Sequence, residues 1–166
     1  MLVQIGRILF PTDFSEPAKQ AQRYAMALAD KFGSELHLLH IVPQVTIPLP
    51  EASTSWTLPD TDQREQLEEA QSRLLKEISL EWVDAHHAVQ VAKVGYPVEE
   101  IVNYAKEQDI DLIVIGTHGH TGFTHLLLGS TAEKIVRLAT CPVLTVHPQG
   151  HQFVSDDAAQ QYACAT

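Results

Sequence analysis

A glycine-rich stretch with hydroxyl residues at its end has the composition of a phosphate-binding loop. It reads GTHGHTGFTHLLLGST over residues 116–131 and follows the apolar run DLIVIG. A helix that begins after Gly129 would offer backbone N–H groups without partners, and its dipole would favour an anion there. Glycine at position 129 would let a bulky anion approach the backbone, and the hydroxyls of Ser130 and Thr131 would add donors. These residues predict a site for a phosphate group.

The same residues also fit a structural role. Ser130 and Glu133 have the spacing of a capping box, in which each side chain bonds the backbone of the other residue. A helix cap does not require Gly116, Gly119 and Gly122 upstream of it. The presence of these three glycines therefore favours the ligand-binding role over the structural one. The motifs GxxxxGK[ST] and GxGxxG after the first strand are absent, so a nucleotide would be bound by another device.

Asp13 is a second candidate for chemistry, because the first apolar run ends in FPTDFS. In open doubly wound sheets, ligands bind outside the carboxyl ends of the strands. If the first and fourth strands are neighbours, Asp13 and the glycine-rich stretch face one crevice. The sequence pattern by itself leaves that adjacency open.

Five apolar runs alternate with four segments of helical periodicity, and these elements must position the site. The runs are IGRILF, ELHLLHIV, AVQVAKV, DLIVIG and PVLTVH, and the helical segments cover 16–33, 62–82, 97–108 and 130–140. Strict alternation predicts an α/β fold with a doubly wound parallel sheet and helices on both faces. In the first helix, Ser15 can cap the start, Pro17 fits the first turn and Gly33 can end the helix.

Two segments depart from this alternation. The segment 43–60 contains four prolines and is expected to be an irregular loop, which could act as a flap, contact a partner or simply be a mobile surface loop. The tail over 149–166 shows no strong periodicity. We therefore expect one domain over 1–148 followed by a C-terminal tail.

Composition excludes some classes of partner. The 166 residues include 21 acidic and 11 basic side chains, for a net charge of −10, which argues against binding to nucleic acid or an anionic membrane. Two cysteines without a framework spacing indicate a reduced, intracellular protein. The sequence lacks a signal peptide pattern and a membrane-length apolar run, so a cytoplasmic location is expected.

The spacing Gly116, two residues, Gly119, nine residues, Gly129–Ser130 resembles the G-2x-G-9x-G-[S/T] signature of nucleotide-binding universal stress proteins. The resemblance runs from Ile8 to His147 and includes ILFPTDFS, LLHIV, GTHG and CPVLTVH. It implies a Rossmann-like five-stranded parallel sheet of order 3-2-1-4-5. It also implies a regulatory stress-response protein that binds ATP, or AMP or ADP, together with Mg²⁺.

The resemblance assigns a role to each matching residue. Asp13 would contact adenine or ribose, and Val42 would meet adenine through its backbone. The residues that would shape the pocket, underlie the ribose or hold the phosphates are Pro11, Thr12, Gly116, Thr117, His118, Gly119, Gly129, Ser130 and Thr131. Two positions depart from the family pattern: His120 stands where a basic residue is frequent, and Thr131 where an aliphatic residue is common.

The resemblance further implies a homodimer that pairs through the last strand, 142–147, where Pro142 is acceptable at the start of an edge strand. Two other functions are considered: an ATP-using enzyme that transfers adenylyl or phosphoryl groups, and a nucleotide-independent interaction protein. The glycine-rich stretch carries no Lys or Arg, so we expect no catalytic residues and slow ATP hydrolysis at most.

A metal site is the remaining alternative. His118, His120 and His125 lie close together in the sequence, and His86 and His87 are adjacent. Zinc sites need three or four convergent ligands, and no CxxC or HExxH spacing is present. We predict no metal site built from protein side chains alone.

Overall fold

The computed structural model describes residues 3–44, 46–48, 55–57, 60–117, 129–147 and 154. Seven strands and five helices are present in this part of the chain. In chain order they are β1 (Arg7–Pro11), α1 (Glu16–Phe32), β2 (Glu35–Pro43), β3 (Thr46–Pro48), β4 (Ser55–Thr57), α2 (Asp60–Glu77), α3 (Leu80–His86), β5 (Val89–Gly95), α4 (Pro97–Glu107), β6 (Leu112–Gly116), α5 (Ser130–Leu138) and β7 (Val143–Val146).

Five strands form one parallel sheet in the order β5-β2-β1-β6-β7. Numbered along the chain as members of this sheet, they stand in the predicted order 3-2-1-4-5. Strand β1 pairs with β2 on one side and with β6 on the other, with Ile8 opposite both Leu36 and Leu112. The expected adjacency of the first and fourth predicted strands is therefore confirmed.

The sheet separates two hydrophobic cores. Strand β1 alternates between them, because Ile8 and Phe10 belong to one core and Leu9 to the other. Helices α1, α2 and α3 cover the face of Ile8 and Phe10, whereas α4 and α5 cover the face of Leu9. The prediction of a doubly wound α/β fold with helices on both faces is confirmed.

The expected boundaries of α1 are also confirmed. The hydroxyl of Ser15 accepts a hydrogen bond from the N–H of Ala18 at 3.3 Å, and Pro17 lies in the first turn. Gly33 ends the helix with φ of 65°, a left-handed conformation that glycine adopts without steric cost.

Two elements differ from the sequence prediction. The single helix expected over 62–82 is two helices, because Ser79 has extended dihedral angles and its hydroxyl caps α3 by accepting from the N–H of Trp82. Within the segment 43–60, expected to be irregular, β3 and β4 pair as an antiparallel hairpin with Ile47 opposite Trp56. Val154 is the one described residue of the expected tail, and it packs against the core that contains Ile8 and Phe10.

None of the described helices combines the length and the apolar character that are needed to cross a bilayer.

Candidate functional site

A cavity of about 550 Å³ opens at the carboxyl ends of the sheet strands. Its volume falls within the range of small-molecule sites. Segments from β1, β2, β6 and the first turns of α4 and α5 contribute to its wall. The described lining residues are Pro11, Thr12, Asp13, Phe14, Ala18, Leu39, His40, Ile41, Pro43, Arg73, Pro97, Ile101, Ile115, Gly116, Thr117, Gly129, Ser130, Thr131 and Ala132.

Side-chain bonds to the backbone fix the turn between β1 and α1. The hydroxyl of Thr12 accepts from the N–H of Phe14 at 3.0 Å, and Asp13 Oδ1 accepts from the N–H of Ser15 at 3.0 Å. Phe14 adopts φ of 61°, an uncommon value for a residue with a side chain. This turn holds the Asp13 carboxylate at the cavity wall in a defined orientation.

At the carboxyl end of β6, backbone hydrogen bonds bring the two sides of the glycine-rich stretch together. The N–H of Thr117 donates to the carbonyl of Val146 at 2.9 Å and extends the pairing of β6 with β7. The N–H of Gly129 donates to the carbonyl of Thr117 at 2.6 Å. The residues just before and just after 118–128 are thus in direct contact, and α5 begins beside the end of β6.

The capping-box interpretation of this helix start is wrong. Gly129, with φ of −66° and ψ of 149°, is the N-cap of α5, and no side chain of the described residues makes a capping bond there. Ser130 is already the first helical residue. The Glu133 carboxylate instead lies 3.6 Å from Nε of Arg137, one turn further along the helix.

Consequently, the first turn of α5 exposes backbone donors. The N–H of Glu133 donates to the carbonyl of Gly129 at 2.9 Å and is the first bond of the helical ladder. By helix geometry, the N–H groups of Ser130, Thr131 and Ala132 have no acceptor inside α5. All three residues line the cavity, and the arrangement is suited to an anion.

Most of the predicted site residues come together in this cavity. The predicted residues that line it are Pro11, Thr12, Asp13, Gly116, Thr117, Gly129, Ser130 and Thr131. Val42 is buried in β2 between two lining residues and is not itself part of the described wall. His118 and Gly119 lie outside the described residues, together with His120 and His125.

Among the described lining residues, sequence reasoning missed two with basic side chains, His40 and Arg73. The His40 Nδ1–H donates to the carbonyl of Thr12 at 2.8 Å, and its ring lies 4.4 Å from the ring of Phe14. Arg73 comes from α2, and its guanidinium carbon lies 4.1 Å from the centroid of the Phe14 ring. His40 was visible in the second-strand sequence LLHIV, whereas Arg73 carried no signal beyond its place beside the apolar stripe of α2.

Other polar clusters have structural partners. The ring of His37 is buried at the amino end of β2 between the Tyr104 hydroxyl, 2.9 Å from Nδ1, and the Glu35 carboxylate, 2.7 Å from Nε2. Burial raises the pKa of the Tyr104 hydroxyl, which therefore stays protonated. His86 pairs with Asp30 and donates to a backbone carbonyl. Among the described residues, no three His, Cys, Asp or Glu side chains converge as metal ligands would.

Comparison with known sequences identifies relatives over nearly the whole chain. A sequence profile described as the Universal stress protein family matches residues 4–147. Universal stress protein MJ0531 of Methanocaldococcus jannaschii is 36% identical over 143 residues, which cover 84% of this chain and 81% of that protein. Universal stress protein MJ0577 of the same organism is 31% identical over 157 residues, which cover 88% and 97% of the two chains.

Solved structures agree with these sequence relationships. The structure of MJ0577 superposes with a TM-score of 0.68 at 25% identity and covers 90% of this chain and 100% of that chain. A universal stress protein solved in complex with cAMP has the same fold, with a TM-score of 0.61 at 23% identity and coverage of 87% and 99%. The matched profile, the identities above 30% and the strand order agree. The chain therefore belongs to the Universal stress protein family.

Proposed function

We propose that this protein binds an adenine nucleotide, with ATP as the principal ligand and AMP or ADP as related ones, in the cavity at the carboxyl ends of β1 and β6. One observation carries the proposal: no described side chain caps the first turn of α5, and the three residues of that turn whose N–H groups have no acceptor inside the helix line the same cavity as Asp13. Backbone donors without an acceptor inside their own helix suit a polyphosphate.

The residues divide between the two ends of the ligand. Asp13 contacts adenine or ribose, and the neighbouring Pro11, Thr12 and Val42 shape this end of the pocket. The phosphates lie against Gly129, Ser130 and Thr131, and Gly116 lies under the ribose with Thr117 beside it. His118 and Gly119, outside the described residues, are assigned to the site by the family signature alone. The fold neighbour solved with cAMP supports an adenine nucleotide as the ligand class.

Mg²⁺ fits this site as a companion of the phosphates. It prefers oxygen ligands, keeps several waters and is usually held by substrate phosphates with one or two protein groups. The hydroxyls of Ser130 and Thr131 offer such oxygens beside the phosphate end. The ion would neutralise phosphate charge in a protein whose net charge is −10.

Rapid hydrolysis is not part of the proposed function. Phosphoryl transfer needs a positioned water and cationic groups around the transferred phosphate. In the described wall, Asp13 is the one carboxylate, and its Oδ1 already accepts from the backbone. We expect a regulatory stress-response protein with slow or no ATP hydrolysis.

Two further properties belong to the proposal. A homodimer would pair through β7, because no described strand occupies the outer side of β7, and Val136 and Leu138 of the adjacent α5 are exposed. Pairing there would cover both apolar side chains. The cytoplasmic location expected from the composition stays a prediction.

The test is to identify the small molecule that purifies with the protein by mass spectrometry, and then to titrate AMP, ADP and ATP with Mg²⁺ by calorimetry. We expect micromolar affinity for at least one of them, about 8 kcal/mol of binding free energy. The absence of binding in a folded sample would refute the proposal. Turnover of about 1 s⁻¹ or faster would instead indicate an enzyme.

A further inference from the structure

Arg73 brings a positive charge into the cavity from an element outside the glycine-rich stretch. It lies on α2 and, among the described lining residues, is the only side chain with a permanent positive charge. Its guanidinium carbon lies 4.1 Å from the centroid of the Phe14 ring. Arg73 is exposed, and a guanidinium at this distance from the ring face is attracted to it.

Phe14 is a rigid support for this contact. Its side chain is 8% exposed, and its backbone is held in the left-handed region by the bond to the Thr12 hydroxyl. Its ring also packs against His40, which donates to the carbonyl of Thr12. The position of Arg73 is therefore linked to the same turn that orients Asp13.

The backbone of Arg73 is equally well fixed, because α2 is hydrogen-bonded to the edge of β5. Gln71 Nε2 donates to the carbonyl of Gln90 at 3.1 Å, and Gln71 Oε1 accepts from the N–H of Ala92 at 3.1 Å. Gln90 Nε2 in turn donates to the carbonyl of Leu74 at 2.7 Å. These three bonds flank position 73 and set how far α2 lies from the cavity.

We propose that the Arg73 guanidinium contacts the nucleoside part of the bound nucleotide; this inference rests on the function proposed above. Helices α2 and α5 cover opposite faces of the sheet, so Arg73 and the α5 amides reach the cavity from opposite sides. A ligand whose phosphates lie at α5 directs its nucleoside towards Asp13 and the adjoining Phe14. A planar guanidinium already stacked on a ring can offer its plane to a base.

The test compares Arg73→Gln with Arg64→Gln, each titrated with AMP, ADP and ATP in the presence of Mg²⁺. Arg64 is an exposed residue of the same helix and is not among the lining residues of the cavity. Because each variant replaces an arginine by a glutamine, both change the net charge equally. We expect Arg73→Gln to weaken all three nucleotides by about tenfold, and Arg64→Gln to leave the affinities unchanged. Arg73→Lys, which keeps the charge but loses the plane, should give an intermediate loss.

Two results would overturn the inference. One is an Arg73→Gln variant that binds as tightly as Arg64→Gln, and the other is a loss that grows steeply from AMP to ATP, because this would put the guanidinium on the phosphates. Circular dichroism and urea unfolding establish that each variant is folded. The wild-type titration separates the two proposals: a folded wild type that binds none of the three nucleotides refutes the proposed function itself, whereas a wild type that binds and an Arg73→Gln variant that binds equally well refute only the role of Arg73.

Discussion

Two helices, α1 and α5, begin at the same cavity and differ in how their first turns are satisfied. At α1, the Ser15 hydroxyl caps the backbone, and the Glu16 carboxylate supplies a negative charge in the first turn. At α5, the N-cap is Gly129, and no described side chain makes a capping bond. Its first turn also contains an acidic residue, Glu133, but that carboxylate lies beside Arg137. One helix start is thus capped by a side chain of the protein, and the other is the start at which we propose that a ligand binds. Two helix starts at one edge of the sheet can therefore differ in whether a side chain occupies the backbone N–H groups of the first turn.

The largest effect is expected for Gly129→Asp, which would give α5 the kind of cap that α1 has. The new carboxylate would bond to the free N–H groups of the first turn and repel a phosphate. We expect nucleotide affinity to fall by about 100-fold or more, while the free energy of unfolding rises by a few tenths of a kcal/mol. Calorimetry and urea unfolding measure the two quantities.

Gly129→Asn is the matched control for this change, because it offers a cap without charge. A smaller loss of affinity than in Gly129→Asp would separate the effect of repulsion from that of occupied donors. Unchanged affinity in both variants would mean that α5 does not bind the ligand.

The converse change is Ser15→Ala, which would remove the side-chain cap of α1. We expect the free energy of unfolding to fall by about 1 kcal/mol, the usual cost of losing a serine cap. Nucleotide affinity should change little, since the bond of Asp13 to the Ser15 backbone does not need the hydroxyl. A large loss of affinity without a loss of stability would contradict the distinction between the two helix starts.

Ser130→Ala applies the same truncation at α5 and should give the opposite pattern. Because Ser130 makes no capping bond, the free energy of unfolding should stay within about 0.5 kcal/mol of the wild type. Affinity for ATP should fall by about fivefold through loss of one hydroxyl donor to a charged phosphate. Equal stability losses in Ser15→Ala and Ser130→Ala would show that the two serines are equivalent caps.

The smallest effect concerns the charge pair in the first turn of α1. Lys19 Nζ lies 2.6 Å from Glu16 Oε1, and this hydrogen bond raises the pKa of Lys19 above its ordinary 10.5. A raised folded-state pKa stabilises the protein at pH values below the unfolded value, and the contribution is lost as pH rises through the folded value. Lys19→Met should therefore lower the free energy of unfolding by less than about 0.5 kcal/mol at pH 7.

That difference should shrink as the pH rises through the folded-state pKa of Lys19, because the wild-type ammonium then loses its proton. Urea unfolding of both proteins between pH 7 and pH 11 tests it. A difference that grows with pH would mean that another group is responsible.

Local patterns predicted most of the fold because their physical causes are local. Apolar runs marked the five strands of the sheet, and Ser15 was recognisable as a cap because proline and a periodic segment follow it. The break between α2 and α3 was missed because Ser79 lies within a continuous helical periodicity. The hairpin of β3 and β4 was missed because three-residue strands among prolines give no clear alternation.

The candidate site was predictable where one segment carries its chemistry and not where distant segments meet. Gly129, Ser130 and Thr131 form a contiguous motif, and Asp13 follows a strand. Arg73 reaches the cavity only because α2 is bonded to β5 and because Phe14 lies in a left-handed turn. Neither condition leaves a pattern in the residues around position 73.

Gln71 has a consequence for how chains can join. Its carboxamide donates to the carbonyl of Gln90 and accepts from the N–H of Ala92 on the outer side of β5. A residue of a neighbouring parallel strand would make the same two bonds, so a further strand cannot pair with β5 at this position. The opposite border, β7, has no such substitute among the described residues. If two copies pair through β7, as proposed above, the β7 edges of both copies are used in the pair, and no free sheet edge of that kind is left for a third copy. The glutamine thereby opposes growth into a ribbon of many copies.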